Sequence, residues 1–163
     1  MAMNIHDLLG IGAKKGLGTV LVAEDEDGAQ ELMRLHFQNA GFKVTVADDG
    51  DEALKLVENG ARFDLLVLDL LMPKMNGLEL AKRARSIHGN ALTPVIFVTG
   101  IGKQDGLKQM EDEVPNSVVF HKPFRAVDVL KIAKDALASP GKKLRKELMP
   151  DQTNGEADDP QPR

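Results

Sequence analysis

The chain has 163 residues and contains no cysteine, no tryptophan and no tyrosine. The absence of thiols excludes disulfides, thiolate metal sites and cysteine nucleophiles. A formal net charge of −4 leaves no excess of Lys and Arg to follow nucleic-acid phosphates, so no direct contact with nucleic acid is predicted. Apolar runs such as Leu65–Leu68 have the length of a strand, far below a membrane span. We therefore predict a cytoplasmic protein with one domain and no membrane contact.

Composition divides the chain into three parts, which are residues 1–17, 18–139 and 140–163. The glycines of the first part suggest a phosphate-binding loop, but such a loop follows a strand and opens a helix, whereas these glycines precede the first strand. The first part is therefore predicted to be a flexible extension. The last part holds Pro, Gly, Asn, Asp and Gln but few apolar side chains. It cannot bury enough surface to offset its ordering entropy, so most of it is predicted to be disordered after a basic start at Lys142–Lys146.

Apolar patterns in the middle part alternate between the strand and the helix type. Strands are predicted at Thr19–Ala23, Lys43–Ala47, Leu65–Leu68, Val95–Val98 and Ser117–Phe120. Helices are predicted before Gly41 and at Asp51–Asn59, Leu78–Ile87, Asp105–Asp112 and Phe124–Ala138. In the first helix, Leu32, Leu35 and Phe37 are expected to point inward. Five strands alternating with five helices imply a parallel sheet that is covered by helices on both faces.

Polar residues follow four of the five predicted strands. They are Glu24 and Asp25, Asp69, Thr99, and Lys122. Ligands of open parallel sheets bind beyond the carboxyl ends of the strands, so these side chains are predicted to form one site. Clustered carboxylates repel each other and are costly to desolvate, which calls for a cation. Oxygen ligands without His or Cys suit Mg²⁺, above all if a phosphate also enters the site.

The predicted set contains the groups needed to form an aspartyl phosphate. A carboxylate nucleophile, a divalent cation, a hydroxyl donor and a lysine would meet at one edge of the sheet. Taken alone, Asp25 has a simpler explanation as a helix N-cap, Thr99 as a turn hydroxyl and Lys122 as a solvated side chain. The convergence of four strand ends on complementary chemistry favours the functional interpretation.

Four segments resemble the signatures of the receiver domains of two-component response regulators. They are VLVAEDE, LLVLDLLMPKMNGLEL, VIFVTG and VFHKPF, in the order of the family. The resemblance covers residues 18–139. It implies a flavodoxin-like (CheY-like) α/β three-layer sandwich, in which a five-stranded parallel sheet of order 2-1-3-4-5 is packed between five helices.

The resemblance also implies a role for each residue of the site. Asp69 matches the phosphoacceptor, Thr99 the switch hydroxyl and Lys122 the lysine that contacts the phosphoryl group. The implied Mg²⁺ ligands are Glu24, Asp25, Asp69 and the backbone carbonyl of Leu71. Pro123 matches the cis-proline of the family. Gly77, in the loop after Asp69, is expected to supply a backbone conformation that other residues resist.

By resemblance, the protein is a response regulator of a two-component phosphorelay. It is expected to accept a phosphoryl group from a sensor histidine kinase or a histidine phosphotransfer protein, and to switch conformation so that binding of an unnamed downstream protein changes. It is not expected to be an enzyme beyond its own phosphorylation and slow autodephosphorylation. Too few residues follow Ala138 for an output domain, so none is expected.

Two other functions share part of this pattern. A phosphatase of the haloacid dehalogenase type needs a second carboxylate two residues after the nucleophile, where this chain has Leu71. A receiver-shaped interaction module that is never phosphorylated is the stronger alternative, although the presence of Asp25, Asp69, Thr99 and Lys122 argues against it.

The chain also departs from the family pattern. Val119 stands where most members carry an aromatic residue that moves on activation. Leu71 and Ile101 are apolar at positions that border the path of the hydrolysing water, which predicts slow autodephosphorylation. Gly100 and Gly102 predict a mobile loop after the fourth strand.

The last predicted helix and the histidines allow less specific predictions. Phe124, Val127, Leu130 and Leu137 form one apolar stripe of the helix, and Val129, Ile132 and Ala136 form a second. The extra stripe is predicted to contact a partner or a second copy in a homodimer, or to be covered by residues 1–17 or Lys142–Lys146. Both interpretations stay open. The histidines at 36, 88 and 121 are predicted to be surface residues and not metal ligands or phosphodonors, and His121 is expected to lie beside the site, where it could tune Lys122.

Overall fold

The computed structural model describes residues 16–87, 92–101, 106–139 and Leu144. In this part of the chain five strands and five helices alternate. They are β1 (Thr19–Ala23), α1 (Asp27–Asn39), β2 (Lys43–Ala47), α2 (Gly50–Glu58), β3 (Leu65–Asp69), α3 (Gly77–Ser86), β4 (Val95–Thr99), α4 (Gly106–Glu113), β5 (Ser117–His121) and α5 (Ala126–Ala138). All neighbouring strands are parallel, in the order β2-β1-β3-β4-β5. The predicted CheY-like fold is confirmed.

The sheet separates two apolar cores, because successive side chains of a strand point to opposite faces. Every residue of β3 and β4 is buried, as expected for central strands that helices cover on both sides. The core on the side of α2 and α3 includes Leu66, Leu68, Phe97 and Val119. The core on the side of α1 and α5 includes Val20, Val67, Phe120 and Ile132. Both cores hold the strand ends in place beneath the predicted site.

Helix α1 turns a different face to the core from the one predicted. Its buried residues are Met33 and Phe37, which lie one turn apart on one side of the helix. Leu32 is 57% exposed and Leu35 is 43% exposed, so the prediction that these two leucines point inward was wrong. Apolar residues at 32, 33, 35 and 37 are compatible with two different apolar stripes of the helix. The stripe with Phe37 faces the core, where the ring of Phe37 packs on Phe42 with the ring centroids 5.2 Å apart.

Helix α5 begins later than predicted, and its two stripes are covered unequally. Phe124 precedes the helix, and its ring packs edge-on against Phe120 at a centroid distance of 6.2 Å. The peptide bond between Lys122 and Pro123 is cis, as predicted. The residues of α5 that are buried are Val129, Ile132 and Ala133, whereas Leu130 and Leu137 are partly covered by the same core. Val127 stays exposed, and the predicted homodimer through this helix remains a prediction.

The start of the C-terminal part contributes to this cover. Leu144 packs against the core between the sheet and α5, and its backbone N–H donates to Asn116 Oδ1 at 2.8 Å. The remaining residues of the predicted tail, and residues 1–15 of the predicted extension, lie outside the described residues. The described helices include none with the length and apolar content needed to cross a bilayer.

Candidate functional site

The polar residues predicted to form one site lie at the carboxyl edge of the sheet. Asp69 and Thr99 are the last residues of β3 and β4, while Glu24 and Lys122 directly follow β1 and β5. Glu24, Asp69 and Thr99 are buried, whereas Asp25 is exposed. Parallel pairing of the four strands is what brings these separate segments of the chain together.

Three carboxylates form a compact acidic cluster at this edge. Glu24, Asp25 and Asp69 each offer one oxygen, and the three oxygens lie within 4.8 Å of one another. Oxygen atoms alone, with two of the three carboxylates buried, form a donor set that suits a hard divalent cation such as Mg²⁺. The family resemblance implies the carbonyl of Leu71 as a fourth ligand. The backbone N–H of Leu71 donates to Asp69 Oδ1 at 2.8 Å.

Lys122 neutralises part of the charge of this cluster. Its ammonium donates to Glu24 Oε2 at 2.8 Å and to Asp69 Oδ2 at 2.9 Å. Hydrogen bonds between charged partners are shorter and stronger than neutral ones. The backbone N–H of Lys122 donates to the carbonyl of Thr99 at 2.7 Å, which fixes the start of the lysine side chain beside β4. Asp69 therefore accepts hydrogen bonds on both oxygens, from the N–H of Leu71 on Oδ1 and from Lys122 on Oδ2.

The pKa values of Glu24 and Lys122 are both raised, but for different reasons. Burial raises the pKa of Glu24 above its ordinary value of 4.5; the hydrogen bond from Lys122 opposes this shift, and the charge of Asp69 reinforces it. Burial lowers the pKa of Lys122, but its hydrogen bonds to Glu24 and Asp69 outweigh that effect, so its pKa is raised overall. A second cation close to Glu24 would favour its charged form and so oppose the effect of burial.

Mg²⁺ affinity is expected to fall as the pH falls through the raised pKa of Glu24, because the metal binds the deprotonated carboxylate. The limiting slope is about tenfold per pH unit for one such group. Without metal the sign is opposite: folding favours the protonated form of Glu24, so the free energy of unfolding declines as the pH rises through the same range above 4.5. Mg²⁺ titration at a series of pH values checks the first sign, and urea unfolding in EDTA at the same pH values checks the second.

Two variants sharpen this measurement. Glu24→Gln cannot titrate and should remove the dependence, whereas Glu26→Gln changes a neighbouring exposed acid and should keep it. A pH dependence that persists unchanged in Glu24→Gln would assign the titration to another group.

Thr99 is fully buried, and its hydroxyl is already engaged. The side-chain oxygen accepts from the backbone N–H of Ile101 at 3.0 Å. His121 is half-buried, and its Nδ1 lies 3.0 Å from the carbonyl oxygen of Ile101. His121 lies next to Thr99 in the register of β4 and β5, so it lies beside the site as predicted.

The family model described as the response regulator receiver domain matches residues 20–134 of the chain. The chain belongs to this family. The receiver domain is 34% identical over 115 residues to the transcriptional regulatory protein DltR of Streptococcus agalactiae serotype III (strain NEM316), an alignment that covers 68% of this chain and 48% of DltR. The chain thus spans about half the length of that relative.

Solved structures of receiver domains have the same fold. The receiver domain of the Francisella response regulator 1452 is 28% identical, with a TM-score of 0.67 over 74% of this chain and 97% of that one. The receiver domain of the sensor histidine kinase PA1611 from Pseudomonas aeruginosa PAO1, described with a magnesium ion in its active-site cleft, has a TM-score of 0.67 at 22% identity and covers 75% and 98% of the two chains. The second likeness supports the fold alone.

Gln30 is a residue of this receiver domain that the sequence reasoning missed. Its amide nitrogen lies 3.0 Å from the carbonyl of Glu24, 3.2 Å from the carbonyl of Ala47 and 2.9 Å from Asp48 Oδ1. One side chain of α1 thereby joins the loop that carries the acidic pair to the loop after β2. A half-buried glutamine on an amphipathic helix gives no sequence signal for such a role, since it looks like any solvated position.

Gly77 is required for a reason different from the one predicted. Its backbone is helical and its φ is not positive, so the expectation of an unusual backbone conformation was wrong. A Cβ at this position would lie 2.3 Å from the carbonyl oxygen of Asp69. Glycine is needed because the first turn of α3, which Asn76 caps by accepting from the N–H of Glu79 at 2.8 Å, approaches the end of β3 too closely for a side chain.

The loop after Asp69 is also fastened to α2. Lys74 donates to Asp49 Oδ2 at 2.6 Å, while Asp49 Oδ1 caps α2 by accepting from the N–H of Glu52 at 2.8 Å. A Cβ on Gly50 would lie 2.5 Å from the carbonyl oxygen of Met75, so the two backbones touch directly. We call the contacts Lys74–Asp49 and Met75–Gly50 the α2 clamp.

Proposed function

We propose that this receiver domain accepts a phosphoryl group on Asp69, with Mg²⁺ bound, and that the modified form changes the binding of a downstream protein. The observation that carries the proposal is the environment of Asp69. A buried carboxylate lies at a strand end within 4.8 Å of the oxygens of two other carboxylates, and the ammonium of Lys122 is 2.9 Å away. A purely structural role would not require three carboxylates to lie together with a lysine that contacts two of them.

The donor is a phosphohistidine of a sensor histidine kinase or of a histidine phosphotransfer protein. An oxygen of Asp69 attacks phosphorus, the phosphorus–nitrogen bond breaks, and the imidazole leaves with the bonding electrons. Glu24, Asp25, Asp69 and the carbonyl of Leu71 would hold Mg²⁺. When bound, the ion offsets the negative charge on the transferring oxygens. Lys122, already beside Asp69, is placed to turn from the carboxylates to a phosphoryl oxygen, which gives the phosphorylated state a contact that the resting state lacks.

Intact-mass measurement after incubation with Mg²⁺ and a small-molecule phosphodonor tests the proposal. The wild type should gain the mass of one phosphoryl group only when Mg²⁺ is present. Asp69→Asn should gain none, whereas Asp112→Asn, a change at an exposed acid of α4, should behave as the wild type. Folded, Mg²⁺-loaded wild type without an adduct would favour the interaction module that is not phosphorylated, and an adduct on Asp69→Asn would move the modification to another residue.

Autodephosphorylation is expected to be slow. Leu71 is 57% exposed and Ile101 is half-buried, and neither apolar side chain can orient or activate a water molecule. Introducing Leu71→Asn together with Ile101→Glu supplies polar groups at both positions and should accelerate hydrolysis about tenfold, below the roughly 10²- to 10⁴-fold that a fully positioned general acid or base contributes. The decay of phosphorylated protein, followed by intact mass, gives the rate. Decay in the double variant that is no faster than in the wild type would contradict this explanation.

A further inference from the structure

His121 has an unusual position for a residue that takes no part in the chemistry. It pairs in register with Thr99 across β4 and β5, and it lies on the same face of β5 as Val119, two residues before it. Its ring is half-buried, with Nδ1 at 3.0 Å from the carbonyl oxygen of Ile101. A carbonyl oxygen only accepts hydrogen bonds, so Nδ1 carries the hydrogen and donates.

Ile101 is consequently held at both ends of its backbone. Its N–H donates to the hydroxyl oxygen of Thr99 at 3.0 Å, and its carbonyl accepts from His121. Ile101, the second residue of the loop after β4, is therefore joined to β4 through one hydrogen bond and to β5 through the other. Rotation of the Thr99 hydroxyl toward Asp69 removes the acceptor of the Ile101 N–H, and any shift of Ile101 that follows must also break the bond to His121.

We propose that His121 is a positioning residue that holds residues 99–101 in the resting arrangement and opposes the movement of Thr99 toward a phosphoryl group on Asp69. The inference rests on the proposed function, because it describes the regulation of the same site. Val119, the neighbour of His121 on this face, is buried and aliphatic and offers no hydrogen bond to the loop. The imidazole is thus the group on this side of β5 that couples the position of the loop to the strand.

The contact can be removed and restored by substitution. His121→Leu removes the donor. His121→Asn places an amide nitrogen close to the position of Nδ1 and should retain the bond. His121→Gln is the matched control, since its longer side chain places the amide nearer to Nε2, away from Ile101.

Beryllofluoride with Mg²⁺, which mimics the phosphoryl group without covalent chemistry, is the probe, and the full-length ¹⁵N-labelled protein is titrated by NMR. His121→Leu and His121→Gln should bind beryllofluoride about two- to tenfold more tightly than the wild type, because loss of one hydrogen bond weakens the resting state by that factor. His121→Asn should match the wild type. In the absence of beryllofluoride, the backbone N–H of Ile101 should exchange with solvent faster in the Leu and Gln variants by a similar factor.

Equal beryllofluoride affinity in all four proteins would overturn the inference, and so would weaker binding by His121→Leu, which would mean that the contact supports the active arrangement. Wild type that does not respond to beryllofluoride would instead contradict the proposed function. In that case the exchange rate of the Ile101 N–H still decides the role of His121: a rate unchanged by His121→Leu overturns it.

Discussion

Gly77→Ala is expected to lower the free energy of unfolding by about 3 kcal/mol or more, at the upper end of the cost of overpacking. The added Cβ would lie 2.3 Å from the carbonyl oxygen of Asp69 and 3.0 Å from its carbonyl carbon. Both atoms belong to the backbone at the end of a fully buried strand, so no side-chain rotation can relieve the clash. Either the first turn of α3 or the end of β3 must shift, and the second shift displaces Asp69.

Urea unfolding of the purified variant measures this cost, and the chain provides its own control. Gly28 lies in the first turn of α1, where a Cβ would meet nothing within 4 Å. Gly28→Ala should therefore keep or raise the free energy of unfolding, by up to about 0.5–1 kcal/mol from helix propensity. If Gly77→Ala were as stable as the wild type, the close approach of α3 to β3 would not exist in solution.

Lys122→Met is expected to give the second large effect, and its size should depend on Mg²⁺. In the absence of metal, the buried carboxylates Glu24 and Asp69 lose the ammonium that contacts both of them. Removal of one partner from a buried ion pair costs about 3 kcal/mol or more. The loss should be smaller at low pH, where Glu24, whose pKa is already raised by burial, can take up a proton instead. Saturating Mg²⁺ should restore much of the stability, since the metal supplies the missing positive charge.

The measurement is urea unfolding of wild type and variant in EDTA and in Mg²⁺. Lys82→Met is the matched control, because Lys82 pairs with Glu113 between α3 and α4 where both side chains are partly exposed. Exposed pairs contribute at most about 1 kcal/mol, and this one should not respond to Mg²⁺. A cost for Lys122→Met that is the same in EDTA and in Mg²⁺ would contradict the view that lysine and metal neutralise the same carboxylates. Phosphorylation should be strongly impaired in Lys122→Met even where Mg²⁺ restores its stability.

The fold and the set of polar strand ends were predictable because both depend on local sequence. A buried parallel strand is a short apolar run, and the residue that follows it falls at one edge of the sheet whatever the rest of the chain does. Glu24, Asp69, Thr99 and Lys122 therefore follow from the sequence alone, and the family motif implies a role for each of them.

The features that could not be predicted depend on distances between elements. The inward face of α1 was ambiguous because four apolar residues fit two stripes, and the packing of Phe37 on Phe42 is not visible in the helix alone. An unusual backbone conformation was expected at Gly77, whereas glycine is needed there because α3 approaches β3 too closely for a side chain. Gln30 and His121 act through carbonyl groups of distant loops, and a backbone acceptor leaves no trace in the sequence.

The α2 clamp gives the neighbourhood of Asp69 unequal stiffness. On the α2 side, an ion pair and a backbone-to-backbone contact join the loop after Asp69 to a capped helix. On the β5 side, the described loop residue Ile101 is joined to the strands by two hydrogen bonds, to Thr99 and to His121. A structural change that starts at Asp69 is expected to displace mainly the side that fewer contacts hold. A chemical change at Asp69 is therefore expected to move the backbone near Ile101 more than the backbone near Gly50.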